Sequence, residues 1–341
     1  MSITMKEIAK LARVHRTTVS RAFNNYPQIN PRTRERVLSL MKKHNFTLNR
    51  TAVKLCREKT FTIGIVFPTL KFSDMDSYTF GEILRGAGTA INHAPMYDLL
   101  MKHGIENQEE MDYVKYFAEK RVDGLIIVFP EINNPQRIVL EKKKYPVVLI
   151  SSVSPSLDYV RIDNAGGIAE LTAHLVSLGH KRIAMIRGKG RLSDYDERFE
   201  AYRHALLRHS LPFEEELVEI DDSTNGKYTE ISGVTAMKRL LGSGPTAVIA
   251  CDDTAAFGAV KVIKEAGLTV PGDIAVAGFD DIPRAEHLDP PLTTVKQSFF
   301  EIGKKAGELV LSRIENKSQP QQIARVPVRL VIRQSTMEEK K

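Results

Sequence analysis

The hydrophobic pattern of this chain changes period at Thr62, and that change limits the folds open to it. Before Thr62, apolar residues recur at helical spacing in short stretches. After it, β-branched runs of four to six residues alternate with longer helical ones.

Residues 4–45 read as three helices. Thr4-Met-Lys-Glu7 is a capping box, hydroxyl and carboxylate each satisfying an amide left open at a helix start. Ile8, Leu11 and Ala12 follow as the apolar stripe. A break at Arg13-Val14-His15 precedes a second helix, about Arg16 to Phe23, held inward by Val14, Val19, Ala22 and Phe23. The stretch Asn24–Asn30 is turn-rich. Asn30-Pro31 supplies an N-cap and a first-turn proline to a third helix reaching about His44, with Val37, Leu38 and Met41 inward.

Beyond Thr62 the predicted strands are Thr62–Phe67, Tyr97–Met101, Asp123–Val128, Val147–Ile150 and Val160–Ile162, then Arg182–Ile186, Leu217–Ile220, Ala247–Ala250 and Ile274–Ala277. Segments of about 79–93, 107–120 and 135–144 between them have helical composition. Continuous apolar strands separated by helices predict parallel sheets covered on both faces. Two such sets predict two α/β subdomains, with ligands favouring the cleft at the strands' carboxyl ends.

Charge follows the same division. Residues 1–57 hold thirteen Lys and Arg against two acids, Glu7 and Glu35, a net of +11; a total of +7 leaves −4 for the remaining 284. A segregated cationic module is the footprint of a polyanion-binding part. Two short helices joined by a tight turn, the second polar on one side, make a helix-turn-helix candidate. Its N-terminal residues Arg16, Thr17 and Arg21 would reach base edges, with Thr4, Ser20, Asn24 and Thr33 on phosphates.

Other classes find less support. No run approaches the ~20 apolar residues of a membrane helix, and the N-terminus lacks the pattern of a secretory signal. Cys56 and Cys251 read as reduced thiols of a cytoplasmic protein. There is no Walker-type loop, His-Glu-x-x-His pair or nucleophile elbow. Gly188-Lys-Gly190 is only a faint echo of a phosphate-binding turn, so no enzyme, cofactor or metal is expected.

Residues 4–57 resemble the lactose-repressor/galactose-repressor (LacI/GalR) family. The match runs through Thr4-Met-Lys-Glu-Ile-Ala9, Thr18-Val-Ser-Arg-Ala-Phe-Asn24, Arg32-Thr-Arg-Glu-Arg-Val37, Asn49-Arg-Thr-Ala52 and Leu55. It continues through Val122-Asp-Gly-Leu-Ile126, Ile162-Asp-Asn-Ala-Gly166, Leu178-Gly-His-Lys-Arg-Ile183, Glu197-Arg-Phe-Glu-Ala-Tyr202, Gly278-Phe-Asp-Asp281 and Pro290-Pro-Leu-Thr-Thr-Val-Lys-Gln297. The resemblance implies an α/β protein with an N-terminal three-helix helix-turn-helix DNA-binding domain plus hinge helix. A periplasmic-binding-protein-like core of two doubly wound parallel-sheet subdomains then follows. The implied boundaries are 1–47, a hinge and linker at 48–60, and a core at 61–341. Its N-subdomain covers about 61–161 and 295–325, and its C-subdomain about 162–292 and 326–336.

The resemblance also implies roles. Asn49, Arg50, Ala52 and Leu55 would belong to a hinge helix entering the minor groove, with Leu55 wedged between base steps. Nine residues fall short of the ~12–15 that a stable isolated helix needs, so the hinge would order only on DNA and its dimer mate. The core would hold a sugar-like effector through Phe80, Ser152, Arg198, Asp252 and Asp280, and a homodimer would repress from a near-palindromic operator of double-stranded DNA. Some positions depart from the family pattern: Arg13 stands where glycine is usual, His15 replaces a serine-like cap, and Leu48 replaces a proline. In the core, Ser152 stands where many sugar-responsive members have an aspartate, and Asp252 where an asparagine is common. A secreted transporter-binding protein suits the core but not the cationic module; a regulator that has lost ligand sensing suits both.

Overall fold

The computed structural model describes residues 3–23, 26–46, 59–68, 78–103, 112–130, 135–188, 193–221 and 230–337. It divides into two compact units, residues 1–59 and 60–341.

The small unit is built on α1 (Met5–Leu11), α2 (Arg16–Phe23) and α3 (Pro31–Lys43). The capping box forms: Glu7 N–H donates to Thr4 Oγ1 at 3.3 Å, and Thr4 N–H to Glu7 Oε2 at 2.7 Å. The Asn30 side chain caps α3 by accepting from Arg32 N–H at 2.9 Å. Ile8, Ala9, Ala12, Val19, Ala22, Val37 and Met41 close the core, none more than 6% exposed. Leu11, Phe23 and Leu38, expected inward, are exposed instead. Three helices this short meet along one row each, and the pairs Ile8/Ala12, Val19/Ala22 and Val37/Met41 already fill those rows.

The turn between α1 and α2 is tight because α1 ends in a Schellman motif. Val14 N–H donates to Ala9 O at 3.0 Å and Arg13 N–H to Lys10 O at 3.2 Å. Arg13 therefore sits at φ 50°, in the left-handed region that costs a residue with a Cβ about 1–2 kcal/mol. Arg13→Gly should accordingly stabilise the small unit by up to about 1 kcal/mol, less than the full strain because glycine also loosens the unfolded chain. Chemical denaturation of residues 1–59 checks this, and a destabilised variant would refute the strain.

In the large unit the chain runs β1 (Thr62–Phe67), α4 (Tyr78–Asn92), β2 (Asp98–His103), α5 (Tyr113–Ala118), β3 (Gly124–Val128), α6 (Pro135–Lys143), β4 (Val147–Ile150) and β5 (Asp158–Ile162). It continues as α7 (Asn164–Ser177), β6 (Ile183–Gly188), α8 (Ser193–Arg208), β7 (Val218–Asp221), α9 (Glu230–Leu240), β8 (Ala247–Ala250), α10 (Asp253–Glu265), β9 (Ala275–Asp280), α11 (Pro283–Glu286) and β10 (Thr293–Lys296). The last elements are α12 (Phe299–Glu315), β11 (Ile323–Val326) and β12 (Arg329–Val331).

Two sheets result, in the orders β2-β1-β3-β4-β5-β11 and β7-β6-β8-β9-β10-β12. All pairings are parallel except β10 with β12. The chain passes between the sheets three times, after Ile162, Lys296 and Val326, so neither lobe is continuous in sequence. β10 stays in the second sheet to Lys296, slightly beyond the crossover expected at 292–295. Side chains alternate between layers as a doubly covered sheet requires: Leu125 and Ile127 join one apolar cluster, Ile126 and Val128 another. Helices α4 and α12 approach so closely that a Cβ on Gly86 would lie 2.0 Å from Phe300 O. The three short strands β10–β12 went unpredicted because none carries a long apolar run. No helix among the described residues is long and apolar enough to cross a membrane.

Candidate functional site

On the small unit, burying Val19 and Ala22 turns the opposite side of α2 outward, and Arg16, Thr17 and Arg21 are all exposed there. His15 takes over the start of this helix. Its Nδ1 lies 2.8 Å from Thr17 Oγ1 and accepts from Thr17 N–H at 3.4 Å, the work a serine hydroxyl does at an N-cap. Ser20 and Thr33 are half-buried, and Thr4 is exposed with its hydroxyl engaged by Glu7. Asn24, Asn49, Arg50, Ala52 and Leu55 lie outside the described residues.

In the large unit, parallel strands deliver their ends to one edge, and the second sheet gathers Cys251-Asp252 after β8, Asp280 at the end of β9 and Gln297 after β10. Arg198, on the facing side of α8, is 4% exposed. Its Nε donates to Asn164 Oδ1 at 2.8 Å and its Nη1 to Cys251 O at 2.5 Å, while its guanidinium carbon lies 3.7 Å from the Phe279 ring centroid. Nη2 stands 3.9 Å from Asp280 Oδ1, too far for a direct hydrogen bond.

Asp252 caps α10 by accepting from Ala255 N–H at 2.8 Å, and Tyr195 Oη donates to its other oxygen at 3.4 Å. Gln297 Nε2 donates to Asp280 Oδ1. Asp280 and Asp281 both have positive φ, 124° and 55°. Asp253, fully buried, holds this turn by accepting from Thr294 Oγ1 at 2.5 Å and from Ile282 N–H at 2.9 Å. Gly278 makes room for this carboxylate, since a Cβ there would meet Asp253 Oδ1 at 2.4 Å and displace it.

Arg198, Asp252 and Asp280 thus come together. Phe80 and Ser152 belong to the first sheet's lobe. Phe80 is 6% exposed, its ring 4.5 Å from that of Phe67 at the end of β1. Ser152 follows β4 and accepts from Arg137 Nη1 at 3.4 Å. The two lobes touch next to it, where Ser193 Oγ donates to Ser151 O at 3.2 Å. Sequence reading missed Asn164, Asp194, Asp253 and Gln297 as parts of this site. Asn164 and Gln297 lie in motifs already noted, Ile162–Gly166 and Pro290–Gln297, and Asp253 adjoins Asp252, but nothing in a one-dimensional pattern says that these stretches meet.

One guanidinium faces several carboxylates here, and burial decides their protonation. It raises the pKa of Asp252 and, more strongly, of Asp253, where the nearby Asp280 adds repulsion. Burial likewise pushes Asp280 up to about 7, against the attraction of Arg198. A raised native pKa means the stability linked to Asp280 is complete below its unfolded value of about 4 and is lost as pH rises to about 7. Asp280→Asn, which cannot ionise, should gain stability relative to the parent across pH 4 to 7. Melting curves over that range would show the two proteins diverging, and a constant difference would contradict the assignment.

Comparison with known proteins places the chain. A family model described as "Bacterial regulatory proteins, lacI family" matches residues 4–49, and a "Periplasmic binding protein-like domain" matches residues 172–336. The probable HTH-type transcriptional repressor ExuR of Bacillus subtilis (strain 168) is 34% identical over 317 residues, covering 92% of each chain. The chain belongs to the lacI family of bacterial regulatory proteins.

Two solved structures of this family extend the likeness over its whole length. The lac repressor dimer bound to operator and the anti-inducer ONPF matches with TM-score 0.79 and 26% identity over 99% of this chain and 100% of that one. The complex of the transcriptional regulator CelR with cellobiose matches with TM-score 0.74 and 30% identity over 98% and 99%. This lacI-family protein is a DNA-binding transcriptional regulator with a helix-turn-helix unit and a periplasmic-binding-protein-like core.

Proposed function

We propose that this regulator acts in the cytoplasm as a homodimeric repressor on a near-palindromic operator, controlled by a sugar-like effector held at Arg198, Asp252 and Asp280. In this reading the paired α2 helices read half-sites through Arg16, Thr17 and Arg21, with Thr4, Ser20, Asn24 and Thr33 on phosphates. Residues 48–60 serve as hinge, Asn49, Arg50 and Ala52 in the minor groove and Leu55 as the wedge, and Phe80 and Ser152 complete the effector site from the first lobe. The reading assigns no catalytic step and no cofactor.

The observation that carries it is the 3.9 Å gap between Arg198 Nη2 and Asp280 Oδ1. A hydroxyl oxygen set between them accepts from the guanidinium and donates to the carboxylate, the bifunctional recognition that a polyol offers. The cellobiose bound by CelR and the operator bound by the lac repressor dimer are of the classes proposed here. Linkage sets the sign of control: a sugar that weakens operator binding must itself bind the operator complex less tightly.

Selection of bound sequences from random duplex DNA, with and without a sugar panel, should return two inverted half-sites whose enrichment one sugar alters. Within that site, Arg21→Ala should cost about 1–3 kcal/mol at a single base position; equal loss on all sequences would reduce Arg21 to a phosphate contact. Arg198→Ala should keep operator affinity within about twofold and abolish the sugar response. A response that survives this substitution would remove the effector site from the cleft.

A further inference from the structure

We infer that Asn164 is the positioning residue that aims Arg198 at the effector and ties its orientation to the first sheet. The inference rests on the proposed effector site and adds to it a residue that acts through Arg198.

Asn164 opens α7 two residues after β5 ends, at the first of the three passages between the lobes. Its side chain is fully buried, and its carboxamide is hydrogen-bonded at both ends. Oδ1 accepts from Arg198 Nε at 2.8 Å, while Nδ2 donates to Asp194 Oδ1 and to Glu197 Oε2, both at 3.0 Å. The other oxygen of Glu197 accepts from Arg161 Nη2 at 2.6 Å, and Arg161 is the penultimate residue of β5. A continuous chain of hydrogen bonds thus runs from the first sheet through Glu197 and Asn164 to Arg198, whose far end faces Asp280.

Chemistry restricts the residue at the centre of this chain. It must accept from a guanidinium and donate to two carboxylates within one short side chain, and a carboxamide supplies one acceptor and two donors. Its orientation is also determined, since the flipped amide would set its oxygen against both carboxylates. Aspartate keeps the acceptor but loses both donors. Alanine loses all three bonds and leaves Arg198 Nε buried without its partner. Without Asn164 the guanidinium keeps Cys251 O and the Phe279 face but loses the bond that fixes its rotation, so Nη2 no longer holds its place opposite Asp280.

Side-chain hydrogen exchange in the nitrogen-15-labelled full-length protein tests the inference, with the Arg198 Nε–H signal assigned by its loss in Arg198→Lys. Asn164→Ala should speed exchange of that proton at least tenfold, whereas Asn164→Asp, which retains the acceptor, should leave it protected. Where cellobiose or ribose binds the parent protein, its affinity should fall tenfold or more in Asn164→Ala, with sugar-free operator affinity unchanged within twofold. An Arg198 proton equally protected in Asn164→Ala overturns the inference. So does a parallel loss of operator affinity, which would make Asn164 a residue of general stability. If exchange behaves as expected and neither sugar binds the parent, the positioning of Arg198 stands and neither sugar is the effector.

Discussion

Burying one guanidinium at the carboxyl edge of a parallel sheet organises the effector half of this molecule. A charge removed from water costs several kcal/mol unless its surroundings replace the lost solvation. Arg198 obtains that replacement from a side-chain carboxamide, a backbone carbonyl, an aromatic face and a nearby carboxylate, contributed by α7, the end of β8 and the end of β9. These groups come from three separate stretches of chain, so the site exists only once both the sheet and the first crossover have formed. The same arrangement leaves a gap between cation and anion, which is what a binding site needs and a purely structural ion pair does not.

A contrasting pair shows the difference. Arg313 and Asp158 are also buried, but they meet in a bidentate arrangement, at 2.8 and 2.6 Å. Their remaining bonds go to backbone groups around Pro320 and Gln322, which fasten β11 onto the edge of the first sheet. That pair is closed. Around Arg198 the carboxylates are crowded beyond what one cation neutralises, and burial shifts them toward protonation. Effector binding that engages the ionised form of Asp280 therefore carries a proton balance near neutral pH.

The small unit meets the opposite demand. Among the described residues its lysines and arginines are exposed, with Arg34 half-buried, and its fully buried side chains are apolar, which leaves α2 free to present Arg16, Thr17 and Arg21 together. Its departures from the family pattern are absorbed locally: Arg13 accepts a left-handed conformation that the Schellman bonds impose, and the His15 imidazole replaces a hydroxyl cap. Both adjustments lie immediately before the residues that face outward, where helix direction matters most.

By itself the sequence determined what depends on near neighbours in the chain. Caps at Thr4 and Asn30, the run of α2, the strands Thr62–Phe67 and Val147–Ile150 and the segregation of charge follow from spacing, propensity and composition, all local properties. Exposure of Leu11, Phe23 and Leu38 did not follow, because burial depends on how wide a face the neighbouring helices cover. Nor did the short strands β10–β12, which owe their conformation to the strands they pair with rather than to a long apolar run of their own. Arg198, Asp252 and Asp280 were legible through resemblance, but their partners Asn164, Asp253 and Gln297 were brought to them by topology. Tertiary structure alone decided the site's geometry, because parallel strands distant in sequence end at one edge and only there do their polar side chains meet.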